Sequence, residues 1–181
     1  MSRTEFKKGC MLVLGGARSG KSSFALDQCN RMEGDRFFIA TAQAFDDEMR
    51  ERIKRHRDER GNDWKTIEET VDIFKKIRDI DNENTIVLID CLTLWLNNLY
   101  MKYDSDDTPV YEKIDELVEG LSSLKGRIIL VSNEVGMGIV PENKLARRYR
   151  DAAGAMNRKI AEKADKVVIT FSGLPVVLKE K

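Results

Sequence analysis

Eight consecutive residues carry the spacing of a phosphate binder: Gly15, Gly16, Ala17, Arg18, Ser19, Gly20, Lys21 and Ser22 fit G-x-x-x-x-G-K-[ST]. Glycines let successive backbone N–H groups curl round a phosphate, and a following helix adds positive partial charge at its N-terminus. In that setting Lys21 reaches the outer phosphates of a nucleoside triphosphate and the Ser22 hydroxyl holds Mg²⁺. Two acids follow apolar runs further along. Asp90 comes directly after Thr85–Ile89, where nucleotide-binding folds hold Mg²⁺, and it could equally cap a helix starting at Leu92. Glu134 comes after Arg127–Val131 and Asn133. It is placed to act as a base or orient a metal-bound water, or else to cap the glycine-bearing loop after it. His56 is the single histidine of the chain. Met49, Ile53, His56 and Arg60 fall on one face of a helix, with Arg52, Arg55 and Arg57 nearby. Such a cluster offers charge to a phosphate and favours a neutral, nucleophilic imidazole. The plainer reading is a half-buried histidine on a helix whose arginines are solvated.

These groups need elements to position them. Cys10–Leu14 reads as a buried strand before the glycine loop, and Ser23–Arg31 as the helix after it. Arg36–Ala40 is a second strand and Asp46–Arg60 a charged helix with supportive pairs Glu48–Arg52 and Glu51–Arg55. Trp64–Glu69 is ambiguous, with a short strand as one reading; Val71–Ile80 is helical and Asp81–Asn84 a turn. Thr85–Ile89 and Arg127–Val131 are continuously apolar, as strands buried on both faces of a parallel sheet are. Leu92–Met101 and Val110–Leu124 are helices separated by an acidic loop, Asp104–Pro109, the most mobile-looking stretch. Glu142–Ala164 is a long helix, and Lys166–Phe171 and Pro175–Leu178 are strands around Gly173. Strands alternating with helices define an α/β fold: P-loop NTPase-like, with a mostly parallel central sheet flanked by helices and an antiparallel C-terminal strand pair. Ligands then gather at the carboxyl ends of the strands.

The 181 residues suit one nucleotide-binding domain spanning 1–181, with 1–9 as a loose polar lead-in. Basic and acidic residues balance at 31 each, so no global field argues for nucleic acid or a membrane surface. An RNA-contacting helix at Arg50–Arg60 is weakened by Glu51, Asp58 and Glu59 among its arginines. Cys10, Cys29 and Cys91 lack paired spacing and read as reduced packing residues of a cytoplasmic protein. No stretch approaches a signal sequence or a membrane span.

Gly15–Ser22, Ile39–Ala42, Asp46–Met49, Arg52-Ile53, His56, Trp64 and Thr66 together resemble the bifunctional adenosylcobinamide kinase/adenosylcobinamide-phosphate guanylyltransferase family. The resemblance is strongest at Asn133–Asn143 and continues through Leu145–Arg147, Arg150-Asp151 and Gly154 to Asn157. It implies two reactions on one scaffold. ATP or GTP phosphorylates the aminopropanol hydroxyl of adenosylcobinamide. GMP then passes from GTP to that phosphate, giving adenosylcobinamide-GDP and pyrophosphate. The resemblance further implies that His56 carries GMP covalently and that the family assembles as a homotrimer. The implied nucleotide contacts are Gly15 to Ser22, Ala40, Thr41, Ala42, Arg57, Asp58, Glu59, Arg60, Glu68 and Asp90, with Ser22 and Asp90 as metal ligands. Two departures stand out: some members have Glu at the position of Asp90, and some have adjacent histidines where this chain has Arg55-His56. A different class remains open beside it, a regulatory nucleotide switch in which the loops at Asp104–Pro109 and 136–138 reorder without guanylyl transfer.

Overall fold

The computed structural model describes residues 6, 8–43, 47, 50, 51, 57, 58, 60, 61 and 63–181. Seven strands form one sheet in the order β3-β2-β4-β5-β1-β6-β7. They are β1 (Gly9–Gly15), β2 (Asp35–Ala40), β3 (Trp64–Glu68), β4 (Thr85–Asp90), β5 (Arg127–Asn133), β6 (Lys166–Phe171) and β7 (Leu174–Glu180). All pairings are parallel except β6 with β7. The helices are α1 (Lys21–Asn30), α2 (Ile73–Ile80), α3 (Leu92–Lys102), α4 (Asp107–Gly120) and α5 (Lys144–Lys163). Asp47, Arg50, Glu51, Arg57, Asp58 and Arg60 also take helical backbone.

Alternation along the strands explains the layering. Leu12, Leu14, Val87, Ile89, Ile128 and Leu130 face one way, into a core shared with α2, α3, α4 and α5. Met11, Val13, Ile86, Leu88, Ile129 and Val131 face the other way, toward Ala25 and Cys29 of α1. A strand buried on both faces has no polar side to show, hence the unbroken apolar runs. Trp95 is 1% exposed and donates its indole N–H to Val71 O at 2.7 Å, fixing the α2 approach to α3.

The ambiguous Trp64 stretch is a strand, an edge pairing parallel with β2. The C-terminal pair is antiparallel. Several boundaries move. The first helical position after the acidic stretch is Asp107, so Thr108 and Pro109 belong to α4: Asp106 caps it by accepting from Thr108 N. That helix ends at Gly120, and Leu121–Ser123 is a 3₁₀ turn. The long last helix begins at Lys144, capped by Asn143 through Ala146 N. Within residues 1–9, Phe6, Lys8 and Gly9 are described. Phe6 is buried against the α1 side of the sheet, and Gly9 already pairs with Arg127. All three cysteines are buried and free, and burial pushes the Cys10 thiol up to about 12.

Candidate active site

Parallel pairing brings the carboxyl ends of four strands into line: Gly15 opposite Asn133, and Asp90 between Ala40 and Val131. β5 thus separates the strand that feeds the glycine loop from the strand that ends in Asp90.

The loop is built for close approach. At Gly15 a Cβ would lie 2.4 Å from Ser19 Oγ and 2.6 Å from Thr170 Oγ1, so only glycine fits. Gly20 caps α1 with φ 92, in the left-handed region. Arg18 also takes positive φ, 55, a conformation a non-glycine residue holds only when its surroundings enforce it. Those surroundings include Ser19, whose hydroxyl pairs with Thr170 Oγ1 at 2.8 Å and whose carbonyl accepts from Gly173 N at 2.9 Å. The β6–β7 turn therefore braces the loop. Lys21 is buried, and its ammonium donates to Gly16 O at 2.9 Å, folded back over the loop it serves.

Ser22, Ser23, Leu26, Phe38, Arg60, Leu88 and Asp90 line one recess on the α1 side of the sheet. The guanidinium carbon of Arg60 stands 3.5 Å from the Phe38 ring centroid, a cation–π stack. Three residues singled out separately, Ser22, Asp90 and Arg60, therefore line one recess. Asp90 is not the helix cap: Cys91 holds that position, without a side-chain capping bond.

Glu134 is tied to the loop through its backbone, N–H to Gly15 O at 3.1 Å. Its Oε1 accepts from Asn157 Nδ2 at 3.1 Å. A chain of buried polar groups continues across the strand ends. Asn133 Nδ2 donates to Thr93 Oγ1 at 2.8 Å, Thr93 Oγ1 lies 3.1 Å from Cys91 Sγ, and Thr41 Oγ1 donates to Cys91 O at 2.9 Å. Asn98 Nδ2 then donates to Thr41 O at 2.7 Å. Thr41 is thus fully buried and engaged inside the protein, so Ala40 and Ala42, half-buried on either side, are what the segment offers a ligand. Glu68 is exposed at the end of β3 in register with Ala40; Arg57 and Asp58 are exposed helical positions. His56, with Met49, Ile53 and Glu59, lies outside the described residues.

Residue types and spacing alone do not single out Asn157, Thr93, Asn98, Thr170 or Phe38 for this edge. Asn157 carries a usable signal: it is a polar residue inside the apolar stripe of α5, among Ala153, Met156 and Ile160, all buried. Phe38 gives none, since a strand phenylalanine is core until an arginine is found on its ring.

A glycine loop between strand and helix, and an acid two strands away across a parallel sheet, define a P-loop nucleotide-binding protein. Solved structures agree on the fold. The KaiC-like protein PH0186 of Pyrococcus horikoshii matches with TM-score 0.57 at 15% identity, over 96% of this chain and 79% of its own. The RadB recombinase matches with TM-score 0.55 at 10% identity, over 96% and 81%. The particular family comes from sequence. The family model described as cobinamide kinase / cobinamide phosphate guanyltransferase matches residues 11–178. The bifunctional adenosylcobalamin biosynthesis protein CobP of Pseudomonas aeruginosa is 45% identical over 93% of this chain and 96% of its own. The bifunctional adenosylcobalamin biosynthesis protein CobU of Escherichia coli K12 is 38% identical over 93% and 99%. The chain belongs to the cobinamide kinase / cobinamide phosphate guanyltransferase family and is a bifunctional transferase of that class.

Proposed function

We propose that this enzyme phosphorylates the aminopropanol hydroxyl of adenosylcobinamide with ATP or GTP and then transfers GMP from GTP through His56. In the first step the hydroxyl oxygen bonds to the γ-phosphorus, the bond to the β-phosphate oxygen breaks, and Glu134 takes the hydroxyl proton. In the second, an imidazole nitrogen of His56 bonds to the α-phosphorus of GTP and pyrophosphate leaves. The adenosylcobinamide-phosphate oxygen then displaces histidine, giving adenosylcobinamide-GDP. The observation that carries this reading is the recess in which Ser22, Asp90 and Arg60 meet beside the Lys21 loop. It supports a site that neutralises phosphate charge from several sides. Ser22 and Asp90 carry hard oxygen donors and line the same recess, a donor type that suits Mg²⁺. The ion would offset negative charge on the phosphate oxygens.

Nucleotide contacts are proposed at Gly15 to Ser22, Ala40, Ala42, Arg57 to Arg60, Glu68 and Asp90. A homotrimer is proposed as well. It is supported by β7, an edge strand whose Leu174, Val176, Val177 and Leu178 are 47–69% exposed. A cytoplasmic enzyme of one domain fits three free buried cysteines and, among the described residues, no helix long and apolar enough to cross a membrane.

The test uses GTP labelled at the α-phosphate. Acid-labile, alkali-stable label on the protein, lost in His56→Ala, is the expected result. Absence of label under turnover conditions refutes the transferase route. Lys21→Ala is expected to lose both reactions, and full kinase activity in that variant contradicts one shared loop.

A further inference from the structure

The kinase step needs a carboxylate held still, and Glu134 sits on a loop rather than inside an element: Asn133 ends β5 and Val135–Met137 is a 3₁₀ turn. Glu134 itself is half-buried, with ψ 77, outside helix and strand geometry. Among the described residues its carboxylate makes one hydrogen bond, to Asn157. We propose that Asn157 is the positioning residue that holds Glu134 for the kinase reaction. The inference rests on the reading of Glu134 as base.

The geometry is that of a clamp. Asn157 is 5% exposed, on the fourth turn of α5, a helix anchored in the core by Ala153, Met156 and Ile160. Its Nδ2 donates twice, to Asn133 O and to Glu134 Oε1, each at 3.1 Å. Two acceptors facing one nitrogen fix the orientation of the amide, because the oxygen of a flipped amide would face two oxygens and bond to neither. One bond holds the backbone just before Glu134 and the other holds its side chain. The Gly15 carbonyl holds the intervening N–H. The carboxylate is thereby related to the phosphate loop through three bonds and a rigid helix, leaving Oε2 to take a proton. Asn157 Oδ1 meets no protein donor among the described residues, so the protein contacts that orient this amide come from its donor end.

The experiment is a double-mutant cycle in the full-length enzyme, reading kcat and KM of ATP-dependent adenosylcobinamide phosphorylation for Asn157→Ala, Glu134→Gln and the pair. Asn157→Ala is expected to lower kcat roughly 10-fold, with nucleotide KM changed less than about 2-fold, since only alignment is lost. In the Glu134→Gln background the same change is expected to lower kcat less than about 2-fold, because a residue acting through Glu134 has nothing left to position. Full additivity, with Glu134→Gln itself impaired, overturns the positioning role while leaving Glu134 as base. Wild-type kcat in Glu134→Gln removes the base reading, and the inference with it. Asn157→Leu, which keeps the volume and removes the donor, repeats the cycle where the alanine variant folds poorly; a wild-type kcat in Asn157→Leu also overturns the inference.

Discussion

The two faces of the sheet are built differently. On one, α2, α3, α4 and α5 seal a continuous core around Trp95, Leu96, Met156 and Ile160. On the other, among the described residues, α1 covers a smaller core, and between it and the sheet lies the recess of Ser22, Leu26, Phe38, Arg60 and Asp90. The larger core lies on the α2–α5 face, and the recess opens on the α1 face. The two meet at the carboxyl edge, where Asn157 reaches from α5 to Glu134 beside the loop. Among the described residues, the packing around the strands is concentrated on the side facing away from the recess.

Cavity formation should break the comparison most strongly. Leu96→Ala, at a fully buried position on the α2–α5 face, is expected to cost about 2–5 kcal/mol. Leu26→Ala, at a half-buried position lining the recess, should cost about 1 kcal/mol. Urea unfolding of both measures the contrast; equal losses would mean the faces are packed alike. Next comes charge at the recess. Arg60→Ala removes the stack on Phe38, worth about 0.5–2 kcal/mol, and should raise the KM for GTP several-fold while lowering the urea midpoint by no more than that stack accounts for. A wild-type KM would place nucleotide elsewhere.

The smallest effect lies in the ion pairs at the rim of the α2–α5 face. Hydrogen bonding from Lys113 holds the Asp72 carboxyl below its usual range, and hydrogen bonding from Arg148 does the same for Asp107. A carboxylate whose pKa falls on folding stabilises the protein above the unfolded value near ~4, and that contribution is lost as pH falls through the lower folded value. Both side chains are 43% exposed, so screening keeps each contribution below about 1 kcal/mol. Melting temperature should fall as pH drops below about 4, and Asp107→Asn should flatten that decline; an unchanged slope would assign the acid sensitivity to other groups.

Much of this was readable from residue order, because the interactions involved are local. The glycine spacing, the strand before it and the helix after it all depend on neighbours within a few positions. So does the double-sided burial of Thr85–Ile89 and Arg127–Val131. Helix ends were less legible. Pro109 reads as a breaker, yet it is tolerated in the first turn of α4, where its missing N–H has no partner to lose. Phe6 could not be told from a polar tail, because its burial comes from the sheet and not from its neighbours.

By itself the sequence determined the fold class, the family and the phosphate loop. Each of those rests on a pattern that short-range geometry or close resemblance can carry. The tertiary structure alone decided which distant residues share a site. It put Arg60 on Phe38 and both beside Ser22 and Asp90. It also brought Asn157 across 23 positions to the carboxylate of Glu134. Such meetings depend on strand order and on the crossing of α5 over the sheet, which are global properties of the packed chain, and no spacing rule along the sequence encodes them.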